Sequence, residues 1–371
     1  MKVAIAIDSF KGSLGSVAAG EAAAAGIRRV FPDAECVIRP LADGGEGTVD
    51  ALVSGLAGER RCVTVTGPMG RPVEAVYGLL PDGTAVMEMA AAAGLTLVAP
   101  DARDPLRATT FGVGELIRDA AARGARRFIM GIGGSATNDG GAGMLQALGF
   151  RLLDAAGNAI PRGGGGLTAL ARIDSGTWRG DLAFRIACDV SNPLCGPLGA
   201  SAVYGPQKGA SPETVAVLDG ALAHFAAVAG DEAASPGDGA AGGLGFAFRR
   251  FLGGELLPGV ELIMSETGLE SLLRDADVVV TGEGRLDGQT AMGKAPAGVA
   301  RLAKRYGKPV LAFSGCVGDG VEAVHGVGID AFFPILGKVT PLADALDVRY
   351  AAANLTRTVE QVFRCLRLGV H

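Results

Sequence analysis

Gly131-Ile-Gly-Gly-Ser-Ala-Thr-Asn-Asp-Gly-Gly-Ala-Gly143 is the stretch on which the reading of this chain turns. It follows Arg127-Phe-Ile-Met130, a short apolar run of the kind that forms a buried strand, and precedes Met144-Leu-Gln-Ala-Leu148, which reads as helix. A strand that passes through glycines into a helix start aims several backbone N–H groups at one point, and such a point binds anions, phosphate above all. Glycine suits it because the backbone must approach closely and adopt positive φ. A plain turn with a helix cap would need only one of Thr137, Asn138 or Asp139. With Ser135 the loop carries more polar groups than a cap uses.

At 371 residues the chain has room for two domains of ordinary size. Apolar residues make up 49% and charged residues 20%, which is the composition of a globular chain with a core. A net charge of −5 with no basic tract argues against nucleic acid as a partner. No apolar run has membrane-spanning length, and the run from Met1 to Asp8 is too short for a signal segment, so a cytoplasmic protein is expected. The six cysteines are scattered and form no C-x-x-C pair, which disfavours a zinc site or a disulfide framework. Seven lysines stand against 27 arginines. Lys11, Lys208 and Lys294 lie beside glycine in polar loops, where a compact ammonium suits phosphate or carboxylate. Lys338 also lies beside a glycine but reads as plain surface. Nothing in the pattern specifies an oligomeric state.

Along the chain, Val3–Ile7 reads as a buried parallel strand ending in Asp8-Ser-Phe-Lys11, and Ser13 or Ser16 can cap the alanine-rich helix that follows, with Pro32 ending it. A second strand at Cys36–Ile38 leads to Asp43-Gly-Gly-Glu-Gly-Thr48, where Asp43 and Glu46 either bind a ligand or form a capping box. From Arg61 the pattern changes. Val63–Thr66, Val73–Tyr77 and Ala85–Met89 alternate and are joined by short turns, as antiparallel strands do. Further strands are expected at Phe150–Asp154 and Arg185–Asp189. Ala240-Ala-Gly-Gly-Leu-Gly245 reads as a packing or hinge element, and Thr267-Gly-Leu-Glu270 as a capping box. The strand–helix rhythm of the first sixty residues returns in Asp277–Thr281, Pro309–Phe313 and Ala331–Ile335. The expected fold is therefore α/β with two domains. Residues 1–62 and 275–371 build one parallel-sheet domain, and residues 63–274 form an inserted mixed α/β domain.

Three chemistries compete. Gly288-x-x-x-x-Gly293-Lys294 resembles a phosphate-binding P-loop, but Ala295 replaces the magnesium-binding hydroxyl and the loop starts well after its strand. Gly131-x-Gly133-x-x-Ala136, with Asp154 ending the next strand, resembles a dinucleotide fingerprint and would suit an oxidoreductase. A non-catalytic anion-binding protein is the third reading. No nucleophile motif is present, and His224, His325 and His371 sit in no motif. Separate glycine loops bearing lysines and carboxylates favour phosphoryl transfer, which needs positioning and charge neutralisation more than a covalent nucleophile.

Six motifs occur in order: Asp8-Ser-Phe-Lys11, Asp43-Gly-Gly-Glu-Gly-Thr48, Gly131–Gly141, Cys188-Asp-Val-x-Asn-Pro193, Gly205-Pro-Gln-Lys208 and Gly282-Glu-Gly-x-x-Asp-x-Gln-Thr290 with Gly293-Lys294. Together they resemble the type 1 glycerate kinases over essentially the whole chain. The resemblance implies ATP-dependent phosphorylation of D-glycerate, 2-phosphoglycerate favoured, with an active site between a flavodoxin-like domain and an α/β insert.

Charge type and loop position then assign roles. Gly133, Gly134, Ser135, Thr137, Gly282 and Lys294 are expected to hold the ATP phosphates, and Glu283 and Asp287 the Mg2+ ion. Asp189 is the expected base. Lys11 and Lys208 would neutralise the substrate carboxylate or the transferring phosphoryl group, with Asp8 and Asp43 orienting them. Glu46 and Asn138 complete the expected glycerate contacts.

Overall fold

The computed structural model describes residues 1–178, 180–232 and 234–369. Its strands are β1 (Lys2–Ile7), β2 (Glu35–Ile38), β3 (Glu59–Thr66), β4 (Pro72–Leu79), β5 (Thr84–Glu88), β6 (Arg127–Gly131), β7 (Arg151–Leu153), β8 (Arg172–Asp174), β9 (Ala183–Ala187), β10 (Glu255–Leu257), β11 (Val278–Leu286), β12 (Val310–Val317) and β13 (Ala331–Pro334).

The chain packs as two units, one of Met1–Asp43, Asp50–Ala57 and Val260–His371, the other of Gly44–Val49 and Gly58–Gly259. These limits differ from the ranges read from sequence. β3 starts at Glu59, which places the residues up to 62 in the second unit. The loop Gly44–Val49 also belongs there: a Cβ on Gly44 would lie 2.4 Å from that of Ala187, and Val49 N donates to Glu88 Oε1 at 2.9 Å. Residues 260–274 belong to the first unit because Val260, Met264, Leu269, Leu272 and Leu273 are buried in its core.

The first unit holds a five-stranded sheet ordered β13-β12-β11-β1-β2, with every pair parallel. Counted within the unit alone the order is 2-1-3-4-5, the flavodoxin-like doubly wound arrangement. Strands covered on both faces read as unbroken apolar runs. Ala4, Ala6, Val279, Val310 and Ala312 face the helix Ala295–Lys304. Val3, Ile5, Ile7, Val280, Leu311 and Phe313 face the helices Ser16–Arg28 and Val348–Leu368. Ser16 does not cap its helix. Its hydroxyl donates to Ile7 O at 2.6 Å and accepts from Leu41 N at 2.9 Å, so it ties β1 to the loop after β2. Thr267 likewise forms no capping box, since its hydroxyl donates to Ile263 O at 2.8 Å and closes the preceding helix.

The two ends of the chain depend on each other. A Cβ on Gly26 of the first helix would lie 2.5 Å from Thr356 O of the last, so the helices are in backbone contact. A fragment of residues 1–57 lacks that helix and lacks β11, the partner of β1. It is expected to show no cooperative unfolding transition by circular dichroism in urea. A sigmoidal transition would mean that the N-terminal segment folds without the C-terminal one.

The second unit holds a six-stranded sheet ordered β10-β9-β6-β5-β4-β3. β3, β4 and β5 pair antiparallel, as their alternation predicts, while β5, β6, β9 and β10 pair parallel. Its core gathers Tyr77, Met87, Phe128, Met130, Leu145, Phe225, Phe246 and Phe248. β7 and β8 form a separate antiparallel pair.

Candidate active site

In a doubly wound sheet, ligands lie beyond the carboxyl ends of the strands, where the strand order reverses. In the first unit that point falls between β1 and β11. Asp8 directly follows β1, and the nine residues of β11 run past the expected end at Thr281 to carry Glu283 to the same edge. Asp43 lies in the loop after β2, and Lys294 occupies the N-cap of the helix Ala295–Lys304. With Lys11 these residues line one cavity of about 530 Å³.

The charges are interleaved. Lys11 Nζ donates to Asp43 Oδ2 at 3.3 Å, and Lys294 Nζ to Asp287 Oδ1 at 3.3 Å. Lys294 Nζ also lies 3.9 Å from Glu283 Oε2, and Arg285 Nε 3.4 Å from Asp287 Oδ2. Glu283 Oε1 accepts from Thr290 Oγ1 at 2.6 Å. Asp8 is buried, and its Oδ1 accepts from Ser9 N at 2.7 Å. Burial and then the charge of Asp43 push the Asp8 carboxyl up to about 7, against the pull of the Ser9 amide and Lys11. Burial also raises Glu283, whereas Asp43 raises the Lys11 ammonium. A carboxyl poised near neutrality in a cavity that also holds lysines is an acid–base candidate. Gly282 is buried. Its carbonyl accepts from Asp8 N at 2.9 Å, and a Cβ there would lie 2.0 Å from Phe313 O, so glycine fixes the close approach of the strands under Asp8.

The second unit holds the Gly131–Gly143 loop. The expectation that the helix start forms an anion cradle is not met. The helix Ala142–Ala147 is short and its first N–H groups are already used. Gly141 N donates to Asp139 Oδ1 at 3.1 Å, Gly143 N to Asp139 Oδ2 at 3.2 Å and Met144 N to Thr110 Oγ1 at 2.9 Å. Asp139 also accepts from Thr110 N at 2.8 Å, so this fully buried carboxylate is the centre of the loop. Lys208 is buried too: its Nζ donates to Ser135 Oγ at 2.8 Å and to the Thr137 carbonyl at 2.6 Å, and burial lowers its pKa to about 7. Asn138 Nδ2 donates to Ser201 Oγ at 2.9 Å. Gly133 and Gly134 are the solvent-exposed part of the loop. Ala240–Gly245, expected to be a packing or hinge element, packs against this loop: Gly140 N donates to Gly242 O at 3.0 Å, and a Cβ on Gly242 would lie 2.0 Å from Thr137 O.

Asp189 also lies in this unit, exposed, with Oδ1 accepting from Gly259 N at 2.8 Å. Glu46 is exposed. The dinucleotide reading loses its acid, because Asp154 accepts from Ala156 N and Asn158 N of its own turn and follows β7, which is outside the sheet that contains β6. His224 and His325 bond the backbone carbonyls of Leu170 and Ile329, and His371 lies outside the described residues. Two contributors escaped the sequence reading. Thr110, which anchors Asp139, carries no local signal. Thr290, which holds Glu283, stood within a motif but was given no role.

Lysines and carboxylates gathered at the switch point of a parallel sheet suit an enzyme of the kinase class, which needs positioning and charge neutralisation. Comparison with known proteins specifies it further. Residues 3–367 match the Glycerate kinase family. A Bacillus subtilis glycerate kinase is 49% identical over 100% of this chain and 98% of its own, and an Escherichia coli K12 glycerate 2-kinase is 48% identical over 100% and 99%. A crystal structure of a Salmonella typhimurium LT2 protein assigned to glycerate kinase 2 superposes with a TM-score of 0.92 at 48% identity, covering 100% of this chain and 99% of that one. The chain belongs to the glycerate kinase family. Among the described residues, no helix is long and apolar enough to cross a membrane.

Proposed function

We propose that this protein transfers the γ-phosphoryl group of ATP to D-glycerate in the cytoplasm, with the 2-hydroxyl as the favoured acceptor. The observation that carries the reading is the constellation of Asp8, Lys11, Asp43, Glu283 and Lys294 around one cavity. The acceptor hydroxyl needs a base near neutrality, and Asp8 supplies one, with one oxygen fixed by Ser9 N. Asp8 would take the hydroxyl proton as that oxygen attacks the γ-phosphorus and ADP leaves. Lys11, held by Asp43, would neutralise the glycerate carboxylate, and Lys294, held by Asp287, a phosphate. In the second unit the exposed Gly133–Gly134 backbone is the part of the loop that a phosphate could reach, while Ser135, Thr137 and Lys208 support it from within.

Magnesium fits the hard-oxygen donors of the first unit. Among the described residues, no group of three or more His, Cys, Asp or Glu is gathered to hold a metal. Magnesium needs only one or two carboxylates beside substrate phosphates and waters. Glu283 and Asp287 would be its ligands; both already lie beside Lys294, and Asp287 beside Arg285 as well. The ion would shield charge on the transferring phosphates.

The test is an assay with ATP and magnesium over glycerate, glycolate, lactate and tartronate, with the product identified by mass spectrometry and NMR. Phosphoglycerate formed only from D-glycerate supports the proposal, and ATP consumption without it sinks it. Within this assay Lys11→Ala is expected to raise the KM for glycerate by at least ~10-fold with a smaller change in kcat, because its contact exists already in the ground state. An unchanged KM would remove Lys11 from the substrate site.

A further inference from the structure

We infer that the apolar wall of the first unit's cavity is a slot for the nucleobase of the phosphoryl donor, a purine nucleotide. The inference rests on the reading of the protein as an ATP-dependent kinase. The cavity measures about 530 Å³, within the roughly 300–1,000 Å³ that encloses a ligand of drug size. Glycerate, with three carbons each bearing oxygen, fills only a small part of such a volume. The lysines and carboxylates account for the charged part of its lining. The apolar part comes from Phe10, Ile335, Leu336, Leu342, Ala345 and Leu346.

That wall has no use for a small hydroxy acid. Every carbon of glycerate is polar, and apolar side chains give it no hydrogen bond. A flat heteroaromatic ring gains from such a surface by burying its faces. The short helix Leu342–Ala345 and the residue after it leave Leu342 74% and Leu346 38% exposed although both border the cavity, so this part of the apolar lining is open to a ligand. Apolar and charged lining adjoin in sequence just after β1, where Phe10 and Lys11 are consecutive and Lys11 bonds Asp43. A ligand with an aromatic ring and a polyanionic chain matches this division, and a nucleoside triphosphate is one.

The experiment pairs kinetics with binding. Leu346→Ala trims the wall and Ala345→Phe fills the slot. Each is expected to raise the KM for ATP at least ~5-fold, with the KM for glycerate changing less than about twofold, the scale at which lost apolar contacts discriminate ligands. Val339→Ala, at a fully exposed residue that does not line the cavity, is the control and should change neither. Binding is read separately with adenosine, which has no phosphates, displacing a fluorescent ATP analogue from the full-length protein. Displacement that weakens in both variants supports the slot. Failure of adenosine to displace the analogue, or unaltered ATP KM in both variants, overturns it. If a variant fails to fold, Leu342→Ala takes its place, since that side chain is mostly exposed. Phosphorylation of glycerate without displacement by adenosine would refute the slot alone, whereas displacement without phosphorylation would refute the proposed reaction alone.

Discussion

Asp8→Asn is expected to lower kcat for glycerate phosphorylation at least ~100-fold, the usual scale for loss of a general base, with the KM values for glycerate and ATP changed far less. Asparagine keeps the size of the side chain and an oxygen for Ser9 N, so the loop after β1 should hold its shape. What disappears is a carboxylate that can take a proton. Wild-type kcat/KM should fall about tenfold per pH unit below about 7, where Asp8 becomes protonated, and this limb should be missing from the variant's residual activity. Asp189→Asn decides between the two carboxylates. If Asp189→Asn is the variant that loses ~100-fold while Asp8→Asn stays near wild type, the base is Asp189 of the second unit and not Asp8.

The same substitution separates function from stability. The Asp8 carboxyl titrates near 3.8 in an unfolded chain and at about 7 in the fold. Between these values the folded protein holds the extra proton, so the contribution of Asp8 to stability is full below pH 3.8 and is lost as pH rises through about 7. At pH 8.5 the fold carries a buried charge that costs up to roughly 4 kcal/mol. Asp8→Asn should therefore melt above wild type at pH 8.5, with the gap narrowing towards pH 5. A residue kept at such a cost is one the activity requires.

The first unit was legible because a doubly wound sheet writes itself in one dimension. Strands buried on both faces must be unbroken apolar runs, and Val3–Ile7 and Val278–Val280 are such runs. Polar residues just after them can only sit at the carboxyl edge, which is why the sequence places Asp8, Lys11 and Glu283 at the edge where they line one cavity. The second unit was less legible because burial, not composition, decides what a polar loop does. Ser135, Thr137, Asn138 and Asp139 look alike as a string, yet all four are buried and bonded inward or packed, and only Gly133 and Gly134 face solvent. Lys208 reads as a ligand-facing cation beside glycine, but its chain runs inward to Ser135 and Thr137. Asp154 looks like the acid of a cofactor fingerprint until the strand order places β7 outside the sheet. Each case turns on a long-range neighbour that local sequence does not name.

Asp139→Ala is expected to destabilise the second unit by about 3–5 kcal/mol, through loss of charge-assisted hydrogen bonds and the stranding of their buried donors. The carboxylate accepts from Thr110 N, Thr110 Oγ1, Gly141 N and Gly143 N, and none of these can reach solvent when it is gone, because Asp139, Thr110 and the following glycines are all buried. For a unit of this size the loss corresponds to a fall in Tm on the order of 10 °C, measurable by calorimetry. Burial raises the Asp139 carboxyl, and the Thr110, Gly143 and Gly141 donors oppose that rise, so those bonds are what favours its charged form. Asp139→Asn retains one acceptor oxygen and should fall between wild type and alanine. Because Asp139 fixes the descending half of the loop whose exposed turn is Gly133–Gly134, the alanine variant should also show a raised KM for ATP at temperatures well below its melting point. A Tm within about 2 °C of wild type would mean that the loop is held by the packing of Gly140 and Gly141 against Ala240–Gly245 rather than by its buried carboxylate.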